Sequence, residues 1–139
     1  MGIKNDSSYI LRHYRGELSL GVSYWVNNVL VNIVFFNAAS LIMGILDFTN
    51  DPVPPSLLVI GIFIFSFFLT PWALIGLWRS SKNHIIKYNK HFWPNVARFL
   101  VIAGWIEFFF VAIETSIPQI VDGVSKLVEW HYRPVDTIV

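Results

Sequence analysis

Cysteine is absent from this chain, which excludes disulfides, thiolate metal sites and cysteine nucleophiles. Charge is scarce too. Charged residues make up 14% of the sequence, where soluble domains carry about a quarter. The usual catalytic signatures are missing: no G-x-S-x-G elbow, no H-E-x-x-H pair, no glycine-rich phosphate loop, and no close serine–lysine pair within an apolar segment. These absences point away from an enzyme. The histidines are scattered, with His84 and His91 in a basic segment and His13 and His131 near the two ends. Metal sites need converging ligands at short spacing, so these side chains read as interfacial polar groups, and no metal or other cofactor is expected. The basic residues are few and lie beside apolar segments, which argues against a nucleic-acid partner.

What the chain does have is apolar length. From Ser56 to Trp78 there are 23 residues without a charge. As a helix this stretch spans roughly 34 Å, enough to cross a hydrocarbon core of about 30 Å. Residues 22–46 and 99–121 form two further segments of similar length. The expected fold is therefore an all-α integral membrane protein, a single membrane domain over 1–139 with three transmembrane helices at 22–46, 56–78 and 99–121. A cleaved signal peptide is not expected, because the first apolar run begins only near Val22, after Asp6 and Glu17.

The segments between the spans carry their own pattern. In residues 1–21, Leu11, Tyr14 and Leu18 recur at i, i+3 and i+7, while Arg12, Arg15 and Glu17 lie off that stripe. This pattern predicts an amphipathic arm in the headgroup layer, apolar face down and arginines toward phosphates. Residues 79–98 hold Arg79, Lys82, Lys87, Lys90 and Arg98 with no acid, and Ile85, Tyr88 and Phe92 repeat at helical spacing. A second interfacial helix is expected there, ended by Trp93-Pro94, with anionic headgroups as its partner. Residues 122–139 read as a mixed-charge tail. Lysine and arginine number three in the arm, none in the first connection, five in the second and two in the tail. That asymmetry predicts a cytoplasmic amino terminus and basic loop; the side of the tail stays open, as does a third segment that only re-enters.

Polar residues inside the spans are the candidate functional groups. Asn28 and Asn32, one turn apart in the first span, should pack on protein, because a lone amide in hydrocarbon seeks a partner. Glu107 and Glu114 fall inside the third span with i, i+7 spacing, on one predicted face. A carboxylate at the centre of a lone helix costs roughly 3 kcal/mol on insertion scales, so both should face protein, a water-filled cavity or a basic partner. Two readings stay open: a proton or cation path, or hydrogen bonds to the asparagines or to another subunit that serve assembly. Pro71, within the second span, should kink it.

Two stretches carry a resemblance. Arg12-His13-Tyr14-Arg15-Gly16-Glu17-Leu18-Ser19-Leu20 followed by Ser23-Tyr24-Trp25, and later Ile75-Gly76-Leu77-Trp78-Arg79-Ser80-Ser81, resemble two patches of small, uncharacterised multi-pass membrane proteins of proteobacteria. The resemblance implies a bacterial inner-membrane protein and brings no activity with it. Arg12, Arg15 and Glu17 stand at the start of the first span and Arg79 at the end of the second, on the same predicted side. An arginine–glutamate pair there would pin the arm to the helix ends.

Three functions follow as expectations. The leading one is a non-catalytic accessory or scaffold subunit of a larger inner-membrane complex, with other membrane subunits or further copies of itself as partners. The second is a small homo-oligomeric proton or cation transporter or channel using Glu107 and Glu114. The third is a membrane-surface adaptor that recruits a soluble partner through the basic loop.

Overall fold

The computed structural model describes residues 8–47 and 50–133. The first residues of the expected arm, Lys4 among them, and the end of the tail lie outside that range.

Every described element is helical. A short helix α1, Tyr9–Tyr14, begins at Ser8, whose hydroxyl accepts the Leu11 backbone N–H at 3.4 Å and so caps an otherwise orphaned donor. The first span, α2, runs Val22–Ile45; the second, α3, runs Val53–Tyr88; the third, α4, runs Phe92–His131. All three are long and apolar enough to cross a membrane.

Their ends depart from the sequence reading in an instructive way. Helix α3 has 36 residues and is about 54 Å long, well beyond the ~30 Å of a bilayer core. Its last turns are the segment expected to form a separate basic helix. Nothing between Trp78 and Tyr88 breaks the ladder, so the helix continues until Asn89, which takes the left-handed conformation (φ 49°) and caps it. Trp93-Pro94 does not end a helix. Pro94 sits in the first turn of α4, where a missing N–H is harmless. At the other end, α4 carries on to His131 through residues assigned to the tail.

Two stretches wind more widely than an α-helix. Val22–Leu30 closes i→i−5 hydrogen bonds, with Val31 N–H reaching the Val26 carbonyl. Ala112–Ser116 does the same, with Ile117 N–H bonded to the Ala112 carbonyl. The second wide turn stands just before Pro118, which has no N–H to offer the Glu114 carbonyl four residues back.

Helix α3 is the centre of the molecule and touches all the other helices. Its hairpin with α4 buries Leu74, Leu77, Ala97 and Val101, and Leu20, Tyr24 and Trp105 pack around them. The tight core therefore lies at the end of the bundle where the amino-terminal arm arrives. Beyond Asn32 the first span touches α3 only lightly, and an open cleft separates it from α4.

Candidate functional site: a docked arm and an intramembrane cleft

The arm lies on one stripe of α3. Trp72, Ala73, Gly76, Arg79, Ser80 and Asn83 recur at helical spacing, and each of them meets the arm. Trp72 Nε1–H donates to the Ile10 carbonyl at 3.0 Å. An Arg79 Nη1–H donates to the Tyr14 carbonyl at 2.9 Å, and its guanidinium lies 4.3 Å from the centre of the Tyr14 ring. The Ser80 hydroxyl donates to the Leu18 carbonyl at 2.8 Å, and the Asn83 amide to that of Gly16 at 2.8 Å. Side chains of α3 thus satisfy backbone acceptors of a segment too short to satisfy them itself. Gly16 makes the approach possible. It sits at φ 73°, and a Cβ there would lie 2.5 Å from the Arg79 backbone carbon.

His13 is the centre of this dock. It is fully buried, against the bare face of Gly76 and beside the Trp72 ring at 4.4 Å. Its Nδ1 is 2.9 Å from Asn27 Nδ2, which can only donate, so Nδ1 accepts. The proton is therefore on Nε2, which faces the Ala73 carbonyl at 3.3 Å. Asn27 Oδ1 in turn accepts from the Tyr9 hydroxyl at 2.9 Å, giving a directed chain from Tyr9 through Asn27 and His13 to α3. Burial pushes the His13 pKa below its ordinary 6.5, and the hydrogen bond to Ala73 opposes this. The Asn28 amide reaches the same Ala73 carbonyl at 3.0 Å and the Ser23 carbonyl at 2.8 Å.

The arm has a buried face that the sequence reading did not single out, that of His13 and Gly16; Leu11 and Tyr14, on the expected apolar stripe, are exposed. The arginine–glutamate pin is also absent among the described residues: Glu17 faces Arg15 at 3.8 Å within the arm, both exposed, and Arg79 holds backbone and ring. Arg12 is exposed. Part of the dock falls in the two patches quoted for their resemblance: His13, Gly16 and Leu18 in the first meet Gly76, Arg79 and Ser80 in the second.

The second feature is the cleft, of about 720 Å³, between α2 and α4 with α3 as its floor. Asn28, Asn32 and Glu107 all line it, together with Ser66, Thr70, Thr115, Ser116 and Gln119. The structure therefore brings together three of the four polar residues singled out within the spans. No hydrogen bond joins Glu107 to either asparagine among the described residues; Asn32 donates to the Asn28 carbonyl of its own helix at 2.6 Å. Glu114 does not reach the cleft. A wide turn rotates the chain less per residue than an α-helix, so Glu114 falls behind the stripe, and Thr115 and Ser116 take its place. It is exposed, with no hydrogen bond or ion pair among the described residues.

The basic residues are spread along the α3–α4 hairpin. Arg98 ties the helices together, donating to Ser81 Oγ at 3.2 Å with its guanidinium 5.2 Å from the Trp78 ring centre. Lys87 lies 5.2 Å from the Tyr88 ring, and Lys82 and Lys90 are exposed.

Comparison of the chain with protein-family models, with curated proteins and with solved structures finds no match.

Proposed function

We propose that this chain is a non-catalytic accessory subunit that scaffolds a larger assembly in a bacterial inner membrane, with its amino terminus in the cytoplasm. The observation that carries the reading is Glu114, an exposed carboxylate within the third span, outside the cleft and without a partner among the described residues. Left in lipid, such a group costs roughly 3 kcal/mol on insertion scales; a donor or base on a neighbouring chain removes that cost. The extensive apolar surface of the spans and the small extramembrane mass fit a subunit whose contacts lie in the bilayer. The lysine and arginine distribution supports the orientation, and the resemblance of the two docking patches supports the membrane.

The test is the native mass of the tagged protein, extracted in mild detergent at its natural expression level. Co-migration with other polypeptides is expected, and Glu114→Leu should release them. A wild-type chain that runs as a folded monomer would sink the proposal.

Glu107 favours a second reading. It is the one carboxylate among the described residues on the wall of this largely apolar intramembrane cleft, where amides and hydroxyls stand beside it, and this suits a homo-oligomeric proton or cation pathway. Proteoliposome flux that Glu107→Gln abolishes, with assembly intact, would support it; absence of flux from the wild type would end it.

A further inference from the structure

The cleft between α2 and α4 has a composition that selects its occupant. Glu107 is the only charged side chain among the described residues on its wall, and it is negative, so anions are disfavoured and a positive charge is favoured. A bare metal ion is a poor match, because no three histidine, aspartate or glutamate side chains among the described residues converge on a site. The volume also argues against a small ion. About 720 Å³ lies in the range of pockets that hold organic ligands of some tens of atoms. The walls complete the description. Phe35, Phe36, Phe63 and Phe108 line the cleft, and aromatic faces attract organic cations through their quadrupoles while taking up an apolar body. Amides and hydroxyls of Asn32, Thr70 and Gln119 add points of orientation.

We propose that this cleft binds a lipophilic organic cation, a substituted ammonium or phosphonium with an apolar body, and that Glu107 is its counter-charge. The proposal deepens the second reading, since it rests on Glu107 facing the cleft, but it needs binding only and not transport. The cation enters from the membrane, where its apolar groups partition, and exchanges lipid contact for ring contact. Its charge meets the carboxylate in a medium of low dielectric, where the attraction is stronger than in water. Glu114, seven residues on and outside the cleft, takes no part.

The experiment is equilibrium dialysis of labelled tetraphenylphosphonium against the full-length protein in mild detergent. Saturable binding is expected for the wild type. Glu107→Gln should weaken it by about tenfold or more, as loss of the sole counter-charge requires, and Glu114→Gln should change it by less than about twofold. Triphenylphosphine oxide, neutral and of similar bulk, should fail to displace the probe. Because a polar substitution inside a span can perturb folding, Thr115→Trp supplies a second variant: it fills the cleft from α4 and should block binding while leaving the helical circular dichroism unchanged. Equal affinity in wild type and Glu107→Gln, or no saturable binding at all, overturns the proposal. So does a cross-link between two copies through Thr115→Cys in a wild-type-like oligomer that binds no probe, since the cleft would then hold a second copy. Binding without flux leaves the site standing and removes the pathway reading; Glu107-dependent proton flux without binding does the reverse.

Discussion

The Nε2 of His13 lies 3.3 Å from the carbonyl oxygen of Ala73, sixty residues farther along the chain, over a face that Gly76 leaves bare. One imidazole thereby joins the amino-terminal arm to the middle of the central helix. The arm is held by shape and hydrogen bonds more than by ion pairs, and its response to substitution and pH follows from that.

Gly76→Ala should displace the arm. The added Cβ would collide with the His13 imidazole, and the ring is walled in by Trp72 and Asn27. Overpacking of this kind costs about 1–3 kcal/mol. Faster tryptic cleavage after Arg12 and Arg15 is the expected outcome, together with a lower unfolding temperature in detergent. Unchanged cleavage would show that the arm docks differently.

Acidification should loosen the same contact. The folded pKa of His13 lies below 6.5, so the unfolded chain binds more protons as pH falls through that value. Stability is complete above 6.5, declines as pH drops from there through the folded pKa, and then levels off. A proton on Nδ1 would face the Asn27 amide, donor against donor. The neighbouring charged groups, Arg12 and Arg15 with Glu17 on the arm and Arg79 on α3, supply no anion that contacts the ring. Arm cleavage should therefore rise between pH 7.5 and 5 in the wild type, and lose most of that dependence in His13→Gln.

Arg79→Lys should weaken the arm although charge is kept. The guanidinium both donates to the Tyr14 carbonyl and sits 4.3 Å from the centre of the Tyr14 ring, a pairing of tasks that a compact ammonium cannot reproduce. A loss of about 1 kcal/mol is expected for the exposed cation–ring contact. Hydrogen exchange at residues 9–14 would read it, and exchange identical to the wild type would refute it.

Reversing Lys82, Lys87 and Lys90 together to glutamate should reduce recruitment of anionic lipid, at about 1 kcal/mol for each charge near the surface. Lipid analysis of protein purified with native lipid gives the readout. An unchanged anionic fraction would assign these lysines to topology alone.

Three spans were legible in the sequence because a bilayer demands about twenty apolar residues in a row, and few other structures do. The sequence pattern also singled out Asn28, Asn32 and Glu107, because hydrocarbon penalises polar groups wherever they are not met; that they line one cleft was not legible in it. Other features depend on contacts across long stretches of chain. His13 looked like an interfacial side chain because nothing near it in sequence announces Gly76 or Asn27. The helical wheel placed Glu107 and Glu114 on one face, but a wide turn ahead of Pro118 separates them.

The sequence by itself thus determined the helical class, the number of apolar spans and the need for polar groups within them to find partners, since these follow from local composition and hydrogen-bond accounting. The tertiary structure decided which carboxylate enters the cleft, which face of the arm is buried, and that two distant patches form one dock. Those outcomes depend on how far each helix has turned when it meets its neighbour, and a single widened turn changes that angle without altering the hydrophobic pattern.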